Sequence, residues 1–218
     1  KMVNLAKTSG ADAIKFQTFK AKDIVTMDAE QAKYQTENIG KKESQYAMLK
    51  RLELKYEDFS LLKNYCDKKG IIFLSTPHSS NADIDIVSSL CPAIKFGSGD
   101  LTNLPMLKYA AGKGLPIILA TGMGTIDETR EAVEIITSVN ESLVLLHCTT
   151  NYPTPRNEVN MRAMTTLKKE FGHLVGYSDH TMGIDVAMAA VALGACIIEK
   201  HFTLDKTMEG PDHKASLE

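Results

Sequence analysis

Short, almost uninterrupted apolar runs recur along the chain at Ala13–Phe16, Ile71–Leu74, Ala93–Phe96, Pro116–Ala120, Leu143–His147, Leu174–Gly176 and Cys196–Glu199. Runs this short and this apolar predict strands buried on both faces, as a parallel sheet requires. Between them the period lengthens to that of a helix. Tyr56–Lys69 places Phe59, Leu62 and Cys66 on one face. Thr125-Ile-Asp-Glu128 is a capping box, opening a helix predicted to reach about Val139. Ile184–Leu193 is small and apolar, with Gly194 placed to end it. Strand–helix alternation of this kind predicts parallel βα units joined by right-handed crossovers.

Seven strands would suit an open doubly wound sheet, whereas a (β/α)8 barrel needs eight. Val3–Thr8 followed by Gly10 reads as the end of a helix without its own strand, and Glu218 follows soon after the seventh run. The expectation is therefore an α/β chain forming a (β/α)8 TIM barrel, with its first strand and last helix outside these residues. One segment fits neither period. Lys20 to about Ser44 is rich in Lys, Gln, Glu and Asp, and a loop this long in a compact domain is commonly a functional lid.

Composition narrows the choice. The 218 residues are 44% hydrophobic, enough for one barrel domain. A net charge of -2 argues against a nucleic-acid binder but leaves room for a local basic pocket. Cys66, Cys91, Cys148 and Cys196 show no metal-type spacing and read as reduced cysteines. No apolar stretch is long enough to span a bilayer and the N-terminus lacks signal-peptide features. The expectation is a cytoplasmic protein without a membrane partner.

In parallel βα units, polar residues at strand C-termini face one mouth. His180 and His201 end two successive runs, which a barrel places side by side, about 4.8 Å apart. Either alone reads more readily as a hydrogen-bonded core or loop histidine; the matched pair predicts shared ligation of a metal ion. Asp179 and Glu199 read as groups supporting that ion, or as partners of nearby lysines. Lys15 in "AIKFQT" and Lys95 in "AIKFGSGD" lie inside apolar strands. That placement is costly unless each meets an anion, either a ligand or an internal carboxylate. The Gly-Ser-Gly turn after Lys95, with Ser98 and also Ser178, offers donors to a phosphate or carboxylate ligand. Thr150, Asn151 and Tyr152 in "HCTTNYPTP" are neutral groups suited to a sugar, or to an ordinary turn. His147 reads as a core histidine and His78 as open to either reading. Asp212 and His213 in "GPDH" are expected on an exposed loop.

Taken together, "IKFQTF", "STPHS", "KFGSGD", "TGM", "LHCTTNYPTP", "GYSDHT", "EKHFTLD" and "GPDH" occur in an order that resembles the sialic acid synthase family, over Lys15 through Glu218. That family includes the N-acetylneuraminate, legionaminate and pseudaminate synthases. The resemblance implies a single catalytic barrel domain over residues 1–218. It condenses phosphoenolpyruvate with an N-acylated mannosamine-type amino sugar to a nine-carbon 2-keto acid, releasing phosphate. It also implies a divalent cofactor, Mn2+ or Mg2+, and a homodimer.

Carried over by motif, His180 and His201 match metal-binding positions, and Lys15, Lys95, Ser98 and Ser178 match positions holding phosphoenolpyruvate. Tyr152 and Asp212 match sugar-contacting positions, Gln17 falls in a matched motif, and Asp100 is a candidate for positioning water. Asp100 stands where some members have Glu, Thr150 where some have Asn, and Ala120 where some have Ser; these departures bear on the sugar rather than the reaction. The family's opening strand, with a glutamate at its end, and its C-terminal antifreeze-like domain, whose arginine reaches the partner's sugar site, have no counterpart in these residues. Two rivals remain. A related phosphoenolpyruvate-dependent synthase acting on a phosphorylated sugar would need a second anion site, which the neutral loop before Pro153 argues against. A non-catalytic sugar-binding barrel is disfavoured by the intact lysines and histidines.

Overall fold

The protein is described by a computed structural model over residues 1–78 and 80–218. Each apolar run forms a strand: β1 (Ala13–Thr18), β2 (Ile72–Pro77), β3 (Ile94–Phe96), β4 (Ile117–Ala120), β5 (Leu143–Cys148), β6 (Leu174–Asp179) and β7 (Ile198–Lys200). β1 pairs with β2, and β3 to β7 pair in chain order, every ladder parallel. β2 packs beside β3, and the sheet curls until Lys15 on β1 meets Glu199 on β7 across the interior. The architecture is the expected α/β partial barrel. Several strands run further than their apolar runs, because Gln17, Thr76 and Ser178 continue the ladder as polar residues at the mouth.

Ten α-helices connect and flank these strands among the described residues: α1 (Met2–Thr8), α2 (Ala21–Ile24), α3 (Lys33–Ile39), α4 (Gln45–Leu52), α5 (Tyr56–Lys69), α6 (Asn81–Leu90), α7 (Leu104–Ala111), α8 (Ile126–Thr137), α9 (Arg162–Phe171) and α10 (Asp185–Ala192). The capping box forms: Glu128 N donates to Thr125 Oγ1 at 3.2 Å, and Thr125 N donates to Glu128 Oε2 at 2.7 Å. Gly194 follows α10 at φ +91°, a backbone that glycine adopts without steric cost.

Alternation along the strands sorts side chains into two cores. Ile14, Phe73, Phe96, Leu119, Leu145 and Tyr177 point outward and pack with helix residues such as Phe59, Leu107 and Ile136. Ala120, Leu146 and Cys148 point inward and pack with Ile118, Val144 and Ile197. Gly176 is needed on the inner face: a Cβ there would lie 2.5 Å from the Ile197 carbonyl oxygen and 2.7 Å from Leu146 Cδ2. The first of these is backbone and cannot swing aside. Gly176→Ala is expected to cost about 3 kcal/mol, at the upper end of ordinary overpacking. Urea unfolding should show a lowered midpoint with an unchanged slope; an unchanged midpoint would mean that β6 and β7 separate freely.

The polar segment from Lys20 to Ser44 is not the irregular loop its composition suggests. It contains α2 and α3. Gln35 accepts from Ala32 N at 2.9 Å at the start of α3, and Gly40 ends it at φ +72°. The helix is tied down by polar contacts rather than by an apolar face, which is why no period shows. Asn38 Nδ2 donates to the Pro211 carbonyl at 2.6 Å and Lys214 Nζ to that of Glu37 at 3.4 Å. All four cysteines are free, and only Cys196 is exposed. Among the described residues no helix is long and apolar enough to cross a membrane.

Candidate active site

Lys15, Lys95, Ser178 and Glu199 all point into the barrel near the C-terminal ends of their strands. Glu199 Oε1 accepts from Ser178 Oγ at 2.9 Å and lies 3.2 Å from Lys95 Nζ. Its Oε2 lies 3.8 Å from Lys15 Nζ. The anion that each strand lysine demands is therefore internal. Burial pushes the Lys15 pKa down, and Glu199 opposes that shift. Burial alone would raise the Glu199 carboxyl; the two ammonium groups override it and hold the acid well below the usual range. Two lysines against one carboxylate leave a surplus cation beside a polar opening. Ser98 is buried in the turn after β3, and the buried Cys148 thiol, its pKa pushed up by desolvation, stands close to it and to Lys95.

The two histidines follow directly. Their ring centroids are 5.4 Å apart. His180 Nδ1 lies 2.6 Å from the Thr149 carbonyl oxygen and must donate to it. That fixes the tautomer and leaves Nε2 with a free lone pair. Its neighbour there is Ser178 Oγ at 3.4 Å, whose proton goes to Glu199. Burial lowers the His180 pKa. Burial, then His180 and Lys15, lower that of His201 to about 3. Both rings are thus neutral near pH 7, the state in which imidazole ligates metals. Among the described residues no group of three or more His, Cys, Asp or Glu stands ready as a complete cage. The donors present fit a cation that takes two imidazole nitrogens and completes its shell from substrate and water.

An aromatic column stands over the imidazoles. Tyr152 lies against His180, tilted by 35° at 4.2 Å between centroids, and meets His201 edge-on at 5.6 Å. Tyr34 of α3 stacks on the outer side of Tyr152 at 5.4 Å. Asp212 was expected on an exposed loop but is half-buried, with Oδ2 3.9 Å from His201 Nδ1. Burial raises its pKa to about 6. The hydrogen bonds between α3 and the Pro211–Lys214 stretch draw it in. Its neighbour His213 is also engaged, with Nδ1 2.7 Å from Thr203 Oγ1.

Other residues singled out in the sequence sit differently. Gln17 is exposed at the end of β1 and Thr150 half-buried in the loop after β5, and neither makes a side-chain hydrogen bond among the described residues. Asp100 is buried in the turn after β3. Its Oδ2 makes no hydrogen bond although His78 Nδ1 lies 3.2 Å away. His147 is the core histidine expected, with Nε2 2.7 Å from the Val159 carbonyl oxygen. Tyr34 escaped sequence reasoning. It is the only aromatic residue between Lys20 and Ser44, and that isolation was the one available signal.

A curled parallel sheet with its polar and ionisable groups gathered at the C-terminal mouth defines the class: a (β/α)8-type barrel with its ligand-facing groups at the strand ends. Within that class the chain belongs to the NeuB family, whose profile matches residues 2–218. It is 49% identical over its whole length to the N,N'-diacetyllegionaminic acid synthase of Campylobacter jejuni, covering 66% of that protein. Its identity to the synthase of the same name from Legionella pneumophila is 47%, again over the whole chain and 63% of the relative. The chain thus spans a little under two thirds of these curated relatives. Among solved structures it superposes on the N-acetylneuraminic acid synthetase of Leptospira borgpetersenii, in complex with citrate, with a TM-score of 0.86 and 33% identity, over all of this chain and 71% of that one.

Proposed function

We propose that this barrel carries the catalytic centre of a phosphoenolpyruvate-dependent sugar 2-keto acid synthase. The acceptor is an N-acylated mannosamine-type sugar, and phosphate is released. The observation that carries the reading is the surplus cation of Lys15 and Lys95 beside two neutral histidines at one mouth. An anion site and a metal-type donor pair in contact suit a reaction that joins an anionic enol ester to an aldehyde. The family membership and the names of its relatives support it, and those names favour an acceptor with two acylamino groups.

Lys15 and Lys95 would hold the phosphoenolpyruvate anion, with hydroxyls from Ser98 and Ser178, and share their charge between it and Glu199. His180 and His201 would hold Mn2+ or Mg2+. When bound, the cation supplies Lewis acidity toward the sugar aldehyde. Tyr152, Asp212 and, further out, Tyr34 would wall the sugar and keep out water. Fixing the enol carbon against the aldehyde turns an encounter into a unimolecular step. A carbon–carbon bond forms, water adds to the carbon bearing phosphate, and the carbon–oxygen bond to phosphate breaks. Asp100, buried with an unbonded oxygen, would position that water.

The test is phosphate release from phosphoenolpyruvate by the whole protein with Mn2+ against a panel of N-acylated sugars. Release that depends on one such sugar is expected. Sugar binding without release would favour the binding-protein reading, and release only with a phosphorylated sugar would favour the related synthases.

A further inference from the structure

The inner faces of β6 and β7 hold Ser178 and Glu199, with the candidate ligands one residue past the strand ends, and their outer faces hold a second, buried arrangement. Ser178 is the register partner of Glu199, and Asp179 of Lys200. The first pair meets inward at 2.9 Å. The second meets outward: Lys200 Nζ donates to Asp179 Oδ2 at 2.7 Å and to the Thr181 carbonyl at 2.6 Å. The side chains of Lys200 and Asp179 are only 8% and 0% exposed. Asp179 Oδ1 accepts from Thr181 N at 2.9 Å and from Thr181 Oγ1 at 2.8 Å. Every side-chain hydrogen bond of the pair among the described residues runs between the two residues that flank His180 and the residue before His201.

The strand pairing itself stops short of the histidines. β7 is three residues long and ends at Lys200. Beyond it, the His180 carbonyl accepts from Thr154 N and the His201 carbonyl from Leu217 N, each at 2.9 Å, so each histidine is tied to a different loop. The last direct hydrogen bonds between the two histidine-bearing strand ends are those of Lys200 to Asp179 and to the Thr181 carbonyl. We infer that Asp179 and Lys200 are positioning residues that set the spacing of His180 and His201 and thereby the affinity for the divalent cation. This rests on the ligand assignment above. The alternative is a buried ion pair that serves stability only.

The decisive variant is D179N/K200M, which removes both charges at similar volume and so leaves no uncompensated buried ion. Mn2+ titration, read by the paramagnetic resonance signal of free Mn2+, is expected to show affinity lowered about 10- to 100-fold, the range for groups that orient metal ligands. Phosphoenolpyruvate affinity, measured separately, should change far less, since its lysines lie on β1 and β3 and only Ser178 lies on β6. K200R, which keeps the charge pair and alters only its geometry, should shift Mn2+ affinity in the same direction if the double variant does not fold. Unchanged Mn2+ affinity in a folded variant overturns the inference. H180A is the control: if it too keeps Mn2+, the ligand assignment falls and the clamp with it. If only H180A loses the metal, the clamp alone is wrong.

Discussion

His180→Ala or His201→Ala is expected to abolish detectable Mn2+ binding while the barrel stays folded. Each ring supplies one of two protein nitrogens, so its loss should exceed the roughly 10- to 100-fold effect of disturbing an outer support. His180 needs no rearrangement to bind, because its Nδ1 proton is already committed to the Thr149 carbonyl. His201 needs no deprotonation at neutral pH, because its pKa lies near 3. Neither ring is an ionic partner on which the fold depends: Lys15 and Lys95 pair with Glu199, and Lys200 with Asp179. The measurement is metal content after dialysis, beside a thermal melt of the metal-free protein. Unchanged metal in both variants would show that the pair is a packed histidine contact. A collapsed melt would instead reveal a structural role for the ring that lies against Tyr152.

What the sequence disclosed and what it hid divide along one physical line. Strands buried on both faces must be apolar without interruption, so β1 to β7 were legible as runs. The same logic made Lys15 and Lys95 conspicuous, since a charge inside such a run has to be explained. It could not tell a ligand from an internal partner. Glu199 is 104 residues from Lys95, and only the curl of the sheet brings them to 3.2 Å. The segment holding α3 was illegible for the opposite reason. Its helix is fixed by hydrogen bonds to Pro211 and Lys214, far along the chain, and leaves no periodic trace. Tyr34 and the half-buried Asp212 went with it. The motif resemblance named Asp212 where residue chemistry alone made it a loop residue, because it carries information about assembled sites that local pattern lacks.

Lys95→Met is expected to raise the Michaelis constant for phosphoenolpyruvate about 10- to 150-fold, with little change in that for the sugar. The figure corresponds to losing one charge-assisted contact of roughly 1.5–3 kcal/mol. Lys95 is 5% exposed and stands 3.2 Å from Glu199 Oε1, so the substitution does two things at once. It removes a cation from the anion site, and it leaves Glu199 with Lys15 alone, which breaks a buried pair and should lower stability. The two effects separate in their readouts. In K95M, Glu199 keeps Lys15 at 3.8 Å as its counter-ion, so the loss of stability should be modest. The Michaelis constant should rise by the full factor if Lys95 touches the substrate. Methionine at 95 keeps most of the side-chain volume, so a lowered melting temperature reports charge rather than a cavity. Phosphoenolpyruvate affinity equal to wild type, with stability lost, would make Lys95 the counter-ion of Glu199 and nothing more. The anion would then have to be held by Lys15 and the hydroxyls of Ser98 and Ser178, and Lys15→Met would become the variant with the large effect.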